Sequence, residues 1–298
     1  MRIFLTGATG FIGSAIVQEL INAGHEVLGL TRSESGEKSL IAAGAQAHWG
    51  DLNNLDSLKS GAAASDGVIH TAFNHDFSKF KENSDTDGRV IETLGEALAG
   101  SNRPLIITSG IGLLPKGRLV NEQDMPVAGP NPRIASEIAA DAVAERGVRV
   151  SVVRLPPSVH GDGDHAFVPM LIRIAREKGI SVYEGEGLNR WPAVHRLDAA
   201  KLFRLALEKS APGGTRYHGV GDEGVLFRDI AEIIGHRLHI PVVSQSKEEA
   251  ATHFGSFAHF AAMDIFASGK ITGEKLGWYP AQPGLLEDLE NGSYFSAL

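Results

Sequence analysis

Cysteine is absent from this chain of 298 residues. Its absence excludes disulfide bonds, thiolate nucleophiles and metal sites built on cysteine. Long hydrophobic runs are also missing, and no apolar stretch approaches the roughly 20 residues that a membrane-spanning helix needs. Lysine and arginine form no block, and the net charge is -8. We therefore expect no nucleic-acid partner and no membrane partner.

The remaining composition is that of a globular protein, with 43% hydrophobic and 21% charged residues. The length allows one large domain with an added lobe, or two modest domains. The first apolar run, RIFLTG from Arg2, is too short for the hydrophobic region of a signal peptide. We therefore expect a cytoplasmic protein that acts on a small-molecule substrate.

The first half of the chain alternates short apolar runs with amphipathic, alanine-rich segments. This alternation predicts βαβ units and a parallel sheet with helices on both faces. After about residue 165 the rhythm changes to longer helical stretches with a few short strands. We predict a main domain of residues 1–165 with about 191–222 returning to its sheet, and a smaller lobe of residues 166–190 and 223–298. The predicted main strands are RIFLTG, HEVLGLTR, AQAHWGDL, GVIHTA, PLIITSG and VRVSVVRLP.

The glycine-rich stretch LTGATGFIGS follows the first predicted strand and opens the first predicted helix. Gly7 allows a sharp turn, Gly10 lets the backbone approach a pyrophosphate, and Gly13 lets helix and strand pack closely. The start of the helix then offers unpaired N–H groups and the positive end of its dipole. The stretch therefore predicts a site for the phosphates of a dinucleotide.

The spacing G-x-x-G-x-x-G resembles that of the short-chain dehydrogenase/reductase superfamily, and TGATGFIG resembles its extended or atypical, epimerase/dehydratase-like branch. RLPPSVHGDGD, AVHRLDAA and LGWYP are also similar to elements of that branch, so the resemblance covers most of the chain. It implies an α/β fold of the Rossmann type, a doubly wound parallel sheet with a smaller C-terminal α/β substrate lobe. It also implies that Asp51 contacts the adenine amino group. Besides the three glycines, the cofactor residues that it implies are Thr9, Phe11, Ile12, Asp51, Leu52, Thr71, Ala72, Phe73, Pro157, Ser158 and Val159.

The choice of cofactor depends on the end of the second predicted strand, which reads LTRSES. An NAD site usually has an acidic residue there to bind the ribose 2′-hydroxyl. Here Thr31, Arg32 and Ser33 offer a guanidinium and two hydroxyls, which suit a 2′-phosphate. Glu34 stands close by. We therefore expect NADP rather than NAD.

The catalytic residues of the superfamily are the part that this sequence lacks. None of the four tyrosines has a lysine four residues later, although NPRIASEIAAD from Asn131 begins the corresponding predicted helix. Arg133 takes the place of the tyrosine, and Glu137 takes that of the lysine. The usual serine position falls on Gly110, with Ser109 one residue before it.

Several roles remain open for these residues. An arginine does not release a proton in the useful pH range, but it can bind a carbonyl oxygen or a substrate carboxylate. Glu137 can accept hydrogen bonds from ribose hydroxyls, or it can form an ordinary ion pair with Arg133 at i, i+4 spacing. The proton for a reduction would then come from His160, His195, Ser109 or a bound water.

Three functions fit these patterns. The first is an NADP(H)-dependent oxidoreductase for a small carbonyl or hydroxyl compound with a non-standard acid/base. The second is a non-catalytic NAD(P)-sensing regulatory protein that resembles the NmrA-like members, and the third is a sugar-nucleotide epimerase or dehydratase. We expect HGDGDH from His160 to form a polar turn rather than a metal site, and the helix that starts near Asn131 to offer a possible homodimer contact.

Overall fold

The computed structural model describes residues 1–127, 129, 131–209 and 211–296. Its strands in chain order are β1 (Arg2–Thr6), β2 (Glu26–Thr31), β3 (Gln46–Trp49), β4 (Gly67–His70), β5 (Pro104–Gly110), β6 (Leu119–Val120), β7 (Arg149–Leu155), β8 (Ser158–His160), β9 (Ser181–Glu184), β10 (Arg190–His195), β11 (Thr215–His218), β12 (Asp222–Leu226), β13 (Val242–Gln245) and β14 (Phe266–Ala267). Its α-helices are α1 (Phe11–Asn22), α2 (Glu34–Ala42), α3 (Leu55–Ala63), α4 (Phe80–Leu98), α5 (Ala135–Glu145), α6 (Phe167–Lys178), α7 (Arg196–Glu208), α8 (Phe227–Leu238), α9 (Lys247–Phe254), α10 (Ala258–Ala261), α11 (Lys270–Leu276) and α12 (Leu285–Asn291).

The main sheet has seven strands in the order β11-β7-β5-β4-β1-β2-β3. Every neighbouring pair in it is parallel. The order reverses between β1 and β4, and in open parallel sheets ligands bind beyond the carboxyl ends of the strands at such a reversal. This sheet confirms the prediction of an α/β fold with a doubly wound parallel sheet, and its six predicted strands are all present.

Both faces of the sheet are buried because successive side chains of each strand point to opposite sides. In β1, Ile3 and Leu5 face a core that they share with α1 and α7. Phe4 faces the opposite core, to which α3, α4 and α5 contribute. The strands therefore need continuous apolar runs rather than alternating ones, which is the pattern that the sequence shows.

The smaller lobe has its own core, in which Trp191 is fully buried against side chains of α6, α8 and α12. A three-stranded sheet of β12-β10-β8 runs through it. Two short parallel pairs, β13-β9 and β14-β6, complete the strand pairing. The aromatic side chains of Phe254 and Phe257 are also buried in this core.

The division between domain and lobe differs from the predicted one in two places. Only part of the segment 191–222 returns to the main sheet: β11 pairs with β7, and α7 packs against the sheet. Its first strand, β10, pairs with β8 and β12 of the lobe instead. Conversely, part of the segment 223–298, which was predicted to belong to the lobe, packs against the main domain. Trp278 is buried in the core of the main sheet, and its indole donates to the backbone oxygen of Asp198 at 2.9 Å.

None of the helices in the described part of the chain combines the length and the apolar character that crossing a bilayer requires.

Candidate functional site

The glycine loop after β1 is closely packed against the end of β4. Gly7 has φ +72°, and a Cβ atom there would stand 2.7 Å from Thr71 Oγ1 and 2.8 Å from the backbone nitrogen of Ala72. A Cβ at Gly13 would stand 1.9 Å from the backbone oxygen of Gly7. Both positions therefore exclude any side chain, and the close approach of α1 to β1 depends on them.

The start of α1 is open to a ligand. Gly10 is its N-cap, so no side chain caps the helix, and the first turn contains no acidic residue. Thr9 and Gly10 are exposed, while Phe11 and Ile12 are half-buried. Unpaired N–H groups at the positive end of a helix attract anions. The loop and the helix start therefore form a cradle that fits a pyrophosphate.

The end of β2 offers fewer phosphate ligands than the sequence predicts. The hydroxyl of Thr31 is buried and donates to the backbone oxygen of Ser33 at 3.2 Å. The hydroxyl of Ser33 accepts the backbone N–H of Gly36 at 3.1 Å and thereby caps α2. Arg32 is exposed. Arg32 therefore presents an open guanidinium to a 2′-phosphate, and the exposed Ser33 keeps its own O–H, which lies 3.1 Å from the hydroxyl of Ser35. The O–H of Thr31 is used within the protein.

Asp51 and Leu52 follow β3, beside the end of β2. Oδ1 of Asp51 accepts the backbone N–H groups of Asn53 at 2.7 Å and Asn54 at 3.2 Å. These bonds orient the carboxylate and leave Oδ2 for an amino donor such as that of adenine. A shallow surface depression adjoins this carboxylate and is lined by Asp51, Asn53, Asn54, Leu55 and Asp56.

The end of β4 is locked to the glycine loop by hydrogen bonds. Thr71 Oγ1 donates to the backbone oxygen of Thr6 at 2.8 Å, and the N–H of Ala72 donates to Thr6 Oγ1 at 3.3 Å. Phe73 follows and is half-buried. The predicted residues Thr71, Ala72 and Phe73 therefore lie beside the phosphate cradle, in the segment that follows β4.

The segment after β7 carries the predicted residues Pro157, Ser158 and Val159. Ser158 and Val159 belong to β8, which pairs with β10. The hydroxyl of Ser158 is buried and has no hydrogen-bond partner among the described residues. Val159 packs against the core of the main sheet, while Pro157 is half-buried.

Arg133 lies at the carboxyl edge of the sheet, between β4, β5 and the start of α5. Its guanidinium stacks over the ring of Phe73, with Cζ 4.2 Å from the ring centroid. Its Nη1 donates to Asp87 Oδ2 at 2.7 Å and to the hydroxyl of Ser136, and its Nη2 donates to the backbone oxygen of Thr108 at 3.1 Å. The side chain is 16% exposed. Arg133 is therefore a fixed cation with a small open edge.

A chain of buried polar groups holds Asp87 in turn. His70 Nε2 lies 3.0 Å from Asp87 Oδ1, and His70 Nδ1 lies 2.7 Å from Thr6 Oγ1. Because a carboxylate only accepts, Nε2 of His70 carries a proton in its contact with Asp87. The hydroxyl of Ser136 donates to Asp87 Oδ2 at 2.5 Å. The chain connects β1, β4, α4 and α5 beneath Arg133.

The charge state of Asp87 follows from these partners. Burial raises the pKa of the carboxyl, but the charge of Arg133 and the hydrogen bonds from His70 and Ser136 outweigh it, so its pKa lies below its ordinary value. Asp87 is only 1% exposed. It is therefore an ionised carboxylate that fixes the position of Arg133, and the sequence reasoning missed it.

Glu137 does not have the role that its position in the sequence implies. Arg154 Nε donates to its Oε1 at 2.7 Å, and Arg216 Nε donates to its Oε2 at 3.0 Å. The residue is 2% exposed, and Arg154 is fully buried. Both carboxylate oxygens are thus occupied by arginines from β7 and β11, so the structure contradicts the prediction that Glu137 binds ribose. The alternative ion pair with Arg133 is also wrong, since the two side chains have different partners.

His160 is enclosed rather than open to a substrate. It is 0% exposed, and its Nδ1 lies 2.7 Å from Asp288 Oδ2 of α12. Its Nε2 is buried without a hydrogen-bond partner in the described part of the chain. His160 therefore joins the end of β8 to α12, and its burial does not support a role as proton donor to a substrate.

Of the other side chains considered as proton donors, His195 is half-buried and Ser109 is covered. His195 caps α7, since its Nδ1 accepts the backbone N–H of Leu197 at 3.3 Å. Burial, and then the neighbouring His160, lower the pKa of His195. Ser109 is 4% exposed, and its hydroxyl has no partner among the residues that the structure describes. Of the four predicted catalytic residues, only Arg133 lies at an open edge.

A second arginine near the helix start was not foreseen. Arg196 stacks over the ring of Phe11, with Cζ 4.6 Å from the centroid, and donates to Ser14 Oγ at 3.0 Å. Its Nη1 donates to the backbone oxygen of Asp162 at 2.6 Å. Arg196 thus ties the loop after β8 to the first turns of α1, beside the phosphate cradle.

Comparison with known proteins gives three consistent matches. The model of the NAD dependent epimerase/dehydratase family matches residues 3–218. An uncharacterized protein of Schizosaccharomyces pombe is 52% identical over 296 residues, which cover 99% of this chain and 100% of the relative. The 4-hydroxy-2-methyl-3-oxo-4-farnesyl-3,4-dihydroquinoline-1-oxide ketoreductase of Stigmatella aurantiaca is 27% identical over 86% of this chain and 80% of its own length.

The fold is also found among solved structures. The UDP-glucose 4-epimerase of Thermotoga maritima has a TM-score of 0.77 at 20% identity, with 99% of this chain and 98% of that chain covered. At this identity the likeness concerns the fold, including the main parallel sheet and the smaller lobe.

Proposed function

This chain belongs to the NAD dependent epimerase/dehydratase family, and on that premise we propose that it is an NADP(H)-dependent oxidoreductase that reduces a small carbonyl compound. The observation that carries the proposal is the position of Arg133. It is a rigidly held cation at the carboxyl edge of the sheet, stacked on Phe73. Phe73 itself follows the strand that is locked to the phosphate cradle.

The cofactor would be held by groups that the structure places along one edge. Its pyrophosphate fits the glycine loop and the start of α1, where no side chain intervenes. Arg32 would bind the 2′-phosphate, and Asp51 Oδ2 would accept from adenine. The bound nicotinamide would supply the hydride for the reduction.

Arg133 would bind the carbonyl oxygen of the substrate. Three of its five N–H donors point to Asp87, Ser136 and Thr108. One N–H on Nη2 and that of Nε have no acceptor among the described residues. A fixed donor of this kind stabilises the negative charge that develops on the oxygen during reduction.

The proton for the reduction has to come from a group other than Arg133. A guanidinium keeps its proton throughout the useful pH range. His160 and Ser109 are enclosed, and Nδ1 of His195 is bound to the start of α7. We therefore propose that solvent water protonates the alkoxide that Arg133 stabilises. The ordinary tyrosine and lysine pair is then replaced by an anchored cation and water.

Replacing Arg32 with alanine is expected to weaken NADPH binding by about 10-fold to 100-fold and to leave NADH binding unchanged. A charge-assisted hydrogen bond to a phosphate contributes about 1.5–3 kcal/mol, and NADH lacks that phosphate. Fluorescence titration of both cofactors measures the ratio. Lys38→Ala, at an exposed lysine on the following helix α2, is the control. Equal binding of NADPH and NADH by the unmodified protein would contradict the choice of NADP.

Replacing Arg133 with methionine is expected to lower kcat by about 100-fold to 1000-fold, the usual effect of removing one oxyanion donor. Arg133→Lys keeps the charge beside Asp87 and should retain more activity. The measurement is transfer of deuterium from labelled NADPH to a panel of aldehydes and ketones. NADPH affinity and thermal unfolding are followed in parallel, so that misfolding is recognised. Absence of labelled product from every carbonyl would refute the oxidoreductase.

A cofactor-sensing regulatory protein is the second candidate. The enclosed state of Ser109 and His160 favours it, because neither group can exchange a proton with a substrate. It predicts saturable NADPH binding without consumption of the cofactor. Under either function we expect a small molecule as ligand, a cytoplasmic location and a possible homodimer.

A further inference from the structure

A row of aromatic rings leads from the proposed carbonyl site into the lobe. Phe73 lies 5.2 Å from His75 and 6.2 Å from Phe80 between ring centroids. Phe77 lies 5.6 Å from Phe80 and 5.6 Å from Phe260. We name these rings, together with Phe167 at 4.7 Å from Phe260, the aromatic row.

The aromatic row joins two parts of the fold that are far apart in sequence. Its first four rings come from the segment after β4 and from Phe80, the first residue of α4, and its last two come from α10 and α6 of the lobe. One end therefore lies where β4 leaves the sheet, beneath the guanidinium of Arg133. The other end reaches the buried core around Trp191, whose ring is 5.9 Å from Phe167.

The rings of this row are only partly covered. Phe77 is 48% exposed, and Phe73, Phe80, Phe167 and Phe260 are half-buried. Partly exposed aromatic rings with a few polar groups beside them are the usual lining of a small-molecule pocket. An edge-to-face or offset contact with a further aromatic ring contributes about 0.5–1.5 kcal/mol beyond the burial of its surface.

The chemistry of this lining selects among carbonyl compounds. A sugar carries hydroxyls around its ring, and each needs a polar partner once it leaves water. Ring faces do not provide such partners. A planar aromatic group gains from the row instead, and its carbonyl oxygen would then meet the open N–H groups of Arg133.

We propose that the substrate is an aryl carbonyl compound, an aldehyde or ketone whose carbonyl is attached directly to an aromatic ring. The substrate ring packs against the open faces of Phe77 and Phe260, whose rings contact each other at 5.6 Å, and the carbonyl oxygen points to Arg133. The assignment of the carbonyl end rests on the proposed oxidoreductase function, whereas the aromatic binding site rests on the row itself.

The test uses two amides that cannot be reduced and that differ only in the ring, benzamide and cyclohexanecarboxamide. Their binding to the full chain with excess NADPH is measured by calorimetric titration. We expect benzamide to bind more tightly. We also expect Phe77→Leu and Phe260→Leu each to lower the ratio of the two affinities by about 2-fold to 10-fold, the loss of one aromatic contact. Leucine keeps an apolar side chain, and Tyr279→Leu, at a ring that is 66% exposed outside the row, is the matched control.

The outcomes separate the two proposals. Equal affinities for the two amides, no saturable binding of benzamide, or a ratio that both leucine variants leave unchanged would each overturn the aryl substrate. A second readout compares kcat/KM for benzaldehyde and cyclohexanecarbaldehyde in the same variants, so that their intrinsic reactivities cancel. Benzamide binding without reduction of benzaldehyde supports the aromatic site and refutes the oxidoreductase. Reduction of both aldehydes with no dependence on Phe77 or Phe260 supports the oxidoreductase and refutes the aryl substrate.

Discussion

Replacing Glu137 with alanine is expected to lower the free energy of unfolding by about 3–5 kcal/mol, because it leaves the fully buried Arg154 without its carboxylate. Urea unfolding followed by circular dichroism measures the change. Asp141→Ala is a matched control one helical turn further on. Asp141 also binds Arg216, at 2.7 Å, but its side chain is 42% exposed, so we expect a loss of at most about 1 kcal/mol.

This result separates a structural role from a cofactor role for Glu137. A residue that bound the ribose would leave the stability of the free protein nearly unchanged and would weaken NADPH binding instead. A stable Glu137→Ala protein with poor cofactor affinity would therefore contradict the ion-pair cluster as the function of this residue.

The acid dependence of stability gives a further measure of the same carboxylate. Burial raises the pKa of Glu137, but hydrogen bonding and charge from Arg154, and then Arg216, lower it below its ordinary value. Its stabilisation is therefore complete above about pH 4.3, the ordinary glutamate pKa, and is lost as the pH falls through the lowered folded-state value. Glu137→Gln should remove this part of the acid dependence, at most about 1.4 kcal/mol per pH unit.

Replacing Gly13 with alanine is expected to weaken NADPH binding by at least about 100-fold. The new Cβ would stand 1.9 Å from the backbone oxygen of Gly7, so the loop after β1 has to move. At the proposed cradle this movement would break N–H bonds to the phosphates, each of which contributes about 1.5–3 kcal/mol. Titration with NADPH measures the loss.

A second glycine provides the control for this experiment. Gly112 has no atom within 4 Å of an added Cβ, so Gly112→Ala should bind NADPH as the unmodified protein does. Unchanged affinity in Gly13→Ala would place the phosphates elsewhere and would refute the cradle at α1.

The main sheet was predictable because each of its strands and helices has a recognisable pattern within its own short stretch of sequence. Each strand that lies between two helical layers is apolar throughout, as Ile3, Phe4 and Leu5 show. The lobe was less predictable. Its β6 and β14 have two residues each, and they pair across 147 positions of sequence, from Leu119 to Phe266, which no local pattern reveals.

The partners of the substituted catalytic pair were beyond sequence reasoning for a similar reason. Arg133 binds Asp87, which is 46 positions away, and Glu137 binds Arg216, which is 79 positions away. The i, i+4 spacing predicted a local contact instead. One signal was available, since Ser84 and Asp87 continue the buried face of α4 that Val90 and Ile91 occupy. Polar residues on an apolar helix face indicate a buried network.

The arginine cluster around Glu137 restricts how the ordinary chemistry of the superfamily could be engineered into this scaffold. A lysine at 137 would be a third cation against Arg154 and Arg216, and a tyrosine at 133 would leave Asp87 without its counter-charge. We expect each substitution alone to destabilise the fold, and both together to need compensating changes on α4, β7 and β11. Grafting the standard tyrosine and lysine onto this scaffold is therefore a redesign of its interior rather than a change of two residues.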